Sequence, residues 1–314
     1  MTRQPNLFIL GAPKCGTTSL ATWLGQHPEV FVPRVKEPHH YNRDEKQVYY
    51  PDRNDYLNLF VGGEPARYRL DASVWYLHSA VAVSEILKDC PDARFLVCLR
   101  NPVDMAFSLH SQYLNKSGRE NIRSFEQAWS LSDERLRGLC TSSLALEPAY
   151  LAYKYSCRIG SQSERLLRQV DRDRVHFVVL DDLIHSQEES LSAVLSVLGL
   201  SPDLPLGIPH ENAAISRRSP LLHRVFMRLA KAKHELGLGT FPKSVKALVK
   251  HLHDINAGTR KPTLRPETRR MVTDYFLGEI HAVWRTTGRQ YQPWVSCLDT
   301  DVEAPACKSA TPTR

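Results

Sequence analysis

The 314-residue chain has no Cys-x-x-Cys pair, no internal repeat, no low-complexity block and no apolar run near the ~20 residues of a membrane-spanning helix. Its seven cysteines, an odd number, are scattered from Cys15 to Cys307 and match neither a disulfide framework nor a zinc site. Reduced thiols and no metal-ligand set are expected. The opening "MTRQPNLFILGAPK" is too short and wrongly flanked for a secretory signal, so a cytoplasmic protein is expected. Aromatic residues are scarce where positive charge is densest: residues 217–261 carry eleven Lys/Arg against Glu235 and Asp254, with only Phe226 and Phe241 to stack on a base. That scarcity argues against nucleic acid as a partner.

What is present is ordinary globular composition, 42% hydrophobic and 24% charged, enough to bury a substantial core. The formal charge of +7 is concentrated in that basic segment. Leu222, Val225, Phe226 and Leu229, then Val245, Leu248, Val249 and Leu252, recur there at helical spacing, which predicts two basic amphipathic helices. They either present a solvated face or meet an acidic ligand, a glycan or, peripherally, a membrane surface. No feature of the sequence reports an oligomeric state.

Residues 7–18 read "LFILGAPKCGTT". Gly11 and Gly16 have the spacing of a Walker A phosphate loop, G-x-x-x-x-G-K-[ST], yet Thr17 stands where its lysine belongs and the lysine comes early, at Lys14. The apolar run before the loop predicts a buried strand and "TTSLATWL" after it a helix, whose N-terminal amides favour an anion. An anion site outside the ordinary NTPase pattern follows. Residues 68–70, 95–99 and 175–180 also read as strands with helical patterns between them, which predicts a parallel sheet covered on both faces and a ligand site beyond its carboxyl ends. Lys14 and Arg100 both fall at such ends. After Arg100, Asn101 is a candidate N-cap and Pro102 a first helical residue, which puts Ser108 about two turns into a helix.

"PKCGTTSL" from Pro13 and "RNPVDMAFS" from Arg100 together resemble the two cofactor motifs of sulfotransferases that use 3'-phosphoadenosine 5'-phosphosulfate (PAPS). The similarity continues through "KEPHHY" at Lys36, "DASVWYL" at Asp71, "HFVVLDDL" at His176, "NAAISRRSPLL" at Asn212 and the stretch from Lys261 to Trp294. It is greatest toward the bacterial branch that also resembles heparan sulfate and carbohydrate sulfotransferase domains. The resemblance implies a P-loop-like three-layer α/β fold, a single domain over residues 1–298 containing the basic segment 217–261, and a loose tail over 299–314. It assigns Lys14, Cys15, Gly16, Thr17, Thr18 and Ser19 to the 5'-phosphate loop, Lys14 also to the bridging oxygen, Arg100 and Ser108 to the 3'-phosphate, and Arg218 to that second phosphate site. Lys36 and Glu37 are implied to be catalytic, with Glu37 the base and Lys36 stabilising developing charge; read alone, the two are a solvated ion pair in a loop. His39 and His40 are the substitute bases. The implied reaction moves a sulfuryl group to a hydroxyl or amine of a carbohydrate or small metabolite and releases adenosine 3',5'-bisphosphate, with no metal required.

Two departures and two rival readings stand beside this. Many relatives carry a tyrosine in a Y-x-x-Q pattern that helps hold the cofactor, whereas "YSCRIGSQ" puts Ile159 or Gly160 near its place, with Tyr155 a few residues earlier. Cys15 lies in the loop near a helix N-terminus able to lower a thiol pKa, and is read as a tolerated small residue rather than a reactive thiol. A P-loop kinase or ATPase would use Asp181 or Asp182, after an apolar strand, to hold magnesium. A noncatalytic binder of nucleotide or anionic glycan would keep the fold without turnover.

Overall fold

The computed structural model describes residues 3–202 and 263–299, together with the backbone of two short segments, Ser216–Arg217 and Ala257–Gly258, that pair antiparallel. The expected basic helices, Arg218 and the tail beyond residue 299 lie outside the described residues. Five strands, β1 (Leu7–Ile9), β2 (Val30–Phe31), β3 (Tyr68–Asp71), β4 (Arg94–Leu99) and β5 (Val175–Val179), form one sheet in the order β2-β3-β1-β4-β5. All four pairings are parallel. Apolar runs explain why the central strands lie inside: Leu7, Phe8, Ile9, Phe95, Leu96, Val97, Cys98 and Leu99 are at most 1% exposed. A strand buried on both faces needs such a run rather than an alternating pattern.

The sequence-predicted strands are found, with ends that shift for identifiable reasons. Leu10 leaves β1, yet its amide still donates to Leu96 O at 3.1 Å. Leu180 belongs to the helix Leu180–His185 rather than to β5, because one apolar run serves a strand and the buried turn of a helix alike. β2 is two residues long and was not predicted. Asn101 caps the helix Pro102–Gln112 as expected, its side chain accepting from the Val103 amide at 2.9 Å.

Strand order decides where the site lies. From β1 the chain runs to the β2 edge and returns through β3, whereas from β4 it continues to β5 on the other side. Neighbouring strands β1 and β4 therefore send their carboxyl ends into loops that diverge, which is where open α/β sheets bind ligands. Their pairing persists beyond β1: Ala12 N donates to Cys98 O and Cys98 N to Gly11 O, both at 2.7 Å. Gly11 has φ +146°, and a Cβ there would meet Val74 O at 2.5 Å, so the start of the loop admits only glycine.

Beyond β4 the helix Pro102–Gln112 widens into a π turn, Tyr113–Ser117, and the chain then passes a buried ion pair. Glu120 and Arg135 are both 0% exposed and meet through two contacts of 2.8 Å. Glu120 also accepts from Tyr153 Oη and from the amides of Asn121 and Ile122, each at 2.8 Å. Removing one partner leaves a buried charge uncompensated, which typically costs ~3–5 kcal/mol. Glu120→Ala is expected to lower unfolding stability by about that amount in urea titration, and Arg135→Ala to do the same.

Candidate active site

The loop between β1 and the helix Thr17–Leu24 ends on Gly16, and the first helical bond runs from Leu20 N to Gly16 O at 3.0 Å. The amides of Thr17, Thr18 and Ser19 precede that bond and have no intrahelical acceptor. Their hydroxyls make no hydrogen bond to another described residue, and Thr18 and Ser19 are half-buried. Lys14, at φ +67°, arches over this helix end. Arg100, leaving β4, donates from Nη1 to Lys14 O at 3.3 Å, so the two phosphate motifs identified in the sequence touch. Ser108 stands in the second turn of the helix after Arg100, half-buried.

Electrostatics marks the loop as an anion site. Burial, then the Lys116 and Arg100 cations, depress the Lys14 ammonium from 10.5 to about 8, while Glu37 pulls weakly the other way. Lys116, on the π turn, was missed in the sequence. The available signal was Ser108, Gln112 and Lys116 recurring four residues apart on one helical pattern. Cys15 takes no chemical part: its thiol is fully buried, donates to Pro13 O at 3.4 Å and is pushed up to about 12 chiefly by burial. Burial thus outweighs any lowering by the helix N-terminus, which agrees with a tolerated small residue rather than a reactive thiol, and any contact from Cys15 to an anion is through its backbone.

The second half of the site is the "KEPHHY" loop. Glu37 and His39 both have positive φ, 60° and 49°. Glu37 accepts from Lys36 Nζ, and its Oε2 lies 3.7 Å from His39 Nε2. Burial alone would raise this carboxyl; the His39 ring and the Lys36 ammonium outweigh it and hold Glu37 at about 2. His40 is committed elsewhere. Its ring stacks on Tyr56 at 4.1 Å, contacts Tyr50 O through Nδ1 at 2.5 Å, and accepts from Arg43 Nη2 at 3.3 Å. His39 remains the histidine beside the carboxylate. Of the aromatics near this loop, Tyr41, Trp75 and Tyr76 are core residues, Trp75 stacking on Tyr150 at 3.6 Å, whereas Tyr49 is 48% exposed and stands edge-on to His39.

The departures resolve structurally. Tyr155 is tied to Asp133 and covered by Arg158, 4.4 Å from its ring centroid. Ile159 is buried, and Gly160 lets its helix press on Pro266–Thr287: a Cβ there would sit 2.3 Å from Glu279 O. Asp182, the kinase-like candidate, accepts from Arg289 Nη1 at 3.0 Å and Tyr291 Oη at 2.8 Å. It secures the C-terminal segment rather than facing the loop. Among the described residues no helix is long and apolar enough to cross a membrane.

A parallel sheet with an anion-receiving loop at its switch point defines a P-loop-like α/β fold. The family model described as the sulfotransferase domain matches residues 4–214, and the chain belongs to that family. Among curated proteins it is 30% identical over 154 residues to human carbohydrate sulfotransferase 15, covering 35% of this chain and 27% of that one. It is 30% identical over 199 residues to mouse heparan sulfate glucosamine 3-O-sulfotransferase 3B1, covering 62% and 46%. The chain thus spans less than half the length of these relatives. A solved sulfotransferase from Alicyclobacillus acidocaldarius shares the fold, with a TM-score of 0.67 and 23% identity over 92% of this chain and 98% of that one.

Because Lys14 titrates near 8 in the fold and near 10.5 when unfolded, its charge destabilises the free protein fully below pH 8, and this effect fades as pH rises toward 10.5. Lys14→Met is therefore expected to raise the melting temperature of the free protein at pH 7, by on the order of 2 °C. Scanning calorimetry at pH 7 and pH 9.5 should show that gain shrinking at the higher pH.

Proposed function

We propose that the chain transfers the sulfuryl group of PAPS to a hydroxyl or amino group of a carbohydrate or small hydroxylated metabolite. The observation that carries this reading is the contact between Arg100 and the Lys14 carbonyl, which joins two cationic motifs on one helix N-terminus. The donor set fits a nucleotide carrying two separated phosphate groups. Lys14 with the amides and hydroxyls of residues 16–19 would hold the 5'-phosphate, and Arg100 with Ser108 the 3'-phosphate. Arg218 joins the second group in this reading, and Lys116 adds a second cation to the first. When bound, PAPS supplies the sulfuryl group.

Sulfuryl transfer asks the protein chiefly for positioning and charge stabilisation. Lys14, on the helix end, fills the electrostatic role that magnesium has in NTPases, so the reading requires no metal. Glu37 accepts the acceptor's proton. A carboxylate held at about 2 by the His39 ring and the Lys36 ammonium is a weak base at rest. When Lys36 turns from Glu37 toward developing negative charge, Glu37 loses one of those neighbours and becomes more basic. His39, too buried to meet an acceptor freely, tunes Glu37 rather than replacing it. The names of the curated relatives favour a glycan acceptor. One domain over residues 1–298 and a cytoplasmic setting belong to the same proposal.

The test is transfer of radiolabelled sulfate from PAPS to a panel of unsulfated glycosaminoglycans and small hydroxylated sugars. Glu37→Gln is expected to lower turnover by roughly 10²- to 10⁴-fold, the usual contribution of a general base, with bisphosphate affinity within twofold of wild type. Wild-type turnover in Glu37→Gln would remove Glu37 from the mechanism. Lys14→Ala should lose on the order of 10²- to 10³-fold.

A further inference from the structure

We infer that Asp71, at the carboxyl end of β3, is a positioning residue that sets the Glu37–His39 pair through the hydroxyls of Ser73 and Tyr76; this rests on the reading of Glu37 as the base. Asp71 is 0% exposed, yet no Lys or Arg lies among its hydrogen-bond partners. Its Oδ1 accepts from Ser73 Oγ at 2.7 Å, and its Oδ2 from Tyr56 Oη at 2.7 Å and Tyr76 Oη at 2.9 Å. Burial raises the Asp71 carboxyl; the Ser73 and Tyr76 hydroxyls spend their protons on it and so turn their lone pairs outward. Those lone pairs meet the catalytic loop. Ser73 Oγ accepts from His39 N at 3.1 Å, and Tyr76 Oη from His40 N at 2.9 Å and Tyr41 N at 3.3 Å.

The loop needs such a hold. Glu37 and His39 are both L-residues in the left-handed region, on either side of Pro38, a backbone that persists only where its surroundings over-determine it. The same backbone places the His39 ring. That ring is fully buried, its two nitrogens make no hydrogen bond within the described structure, and Nε2 faces Glu37 Oε2 across 3.7 Å. The position of the His39 backbone, with the edge-on rings of Tyr49 and Tyr76 beside it, sets where Nε2 stands. Because His39 is the foremost influence holding Glu37 down, a shift of the backbone changes the proton affinity of Glu37 without touching the phosphate loop. Asp71 thus links the end of one strand to the basicity of a carboxylate it does not contact.

The experiment compares Ser73→Ala with Ser73→Thr in the full chain, reading the Glu37 carboxyl titration by carbon NMR and the His39 amide by hydrogen exchange. Ser73→Ala should raise the Glu37 midpoint above its starting value of about 2 and speed His39 exchange roughly fivefold, the worth of one net hydrogen bond. Ser73→Thr should restore both, and affinity for adenosine 3',5'-bisphosphate should stay within twofold throughout. Tyr76→Phe supplies a second route, speeding exchange at His40 and moving Glu37 in the same direction. An unmoved Glu37 midpoint in both Ser73→Ala and Tyr76→Phe overturns the inference. So does a loss of bisphosphate affinity and melting temperature that Ser73→Thr fails to rescue, since that marks a general structural role. Glu37→Gln with wild-type turnover would instead defeat the base reading while leaving the titration result to decide the linkage.

Discussion

Like charges crowded at the ends of two adjacent strands are the constraint around which this structure is arranged. Lys14 and Arg100 are brought together because β1 and β4 pair in parallel and stay paired into the loop, and Lys116 approaches on the turn that follows. Burial, and then repulsion from Lys116 and Arg100, strips proton affinity from Lys14. Such an arrangement is costly in the free protein and becomes favourable only when an anion of higher charge sits among the cations. A helix N-terminus at the same point adds its unpaired amides.

The loop carrying Lys36, Glu37 and His39 lies close to this cationic centre, and the proton affinity of its carboxylate depends on contacts rather than on residue type. Glu37 is depressed by His39 and Lys36, and those neighbours are in turn set by backbone at positive φ. Rigid packing surrounds it: Tyr41, Tyr56 and Tyr76 form an edge-to-face cluster with centroids 5.5 and 5.9 Å apart. The backbone of residues 39–41 is thereby tied to the buried end of β3. Lys36 and Glu37 are partly exposed to a similar degree, and Tyr49 is the most open of the aromatic residues beside them.

Much of this was legible in the residues. Apolar runs marked β1, β4 and β5, and Asn101-Pro102 announced the start of the helix that carries Ser108, because capping chemistry is local. The early lysine alone set this loop apart from a Walker A loop, since motif spacing is a property of the chain and needs no tertiary contact. Other features depend on tertiary placement. Strand order, and so the meeting of Lys14 with Arg100, depends on which strands pair, and β2 is too short to leave a pattern. Lys116 follows Ser108 and Gln112 at helical spacing, but its approach to Lys14 depends on where the π turn lies against the loop. The degree to which burial outweighs the helix end at the Cys15 thiol also depends on tertiary placement, since a loop position says nothing of burial. Asp71, Ser73 and Tyr76 sit within seven residues, yet their joint hold on residues 39–41 exists only once β3 and the loop are adjacent.

The central claim is that the cationic loop is a site for a nucleotide with separate 3'- and 5'-phosphates. Titration calorimetry of the wild-type chain with adenosine 3',5'-bisphosphate, and with ATP in the presence and absence of magnesium, tests it most directly. Tight, metal-independent preference for the bisphosphate is predicted, with proton uptake on binding above pH 8 as Lys14 regains its charge. Failure to bind the bisphosphate, or a magnesium-dependent preference for ATP, would contradict it.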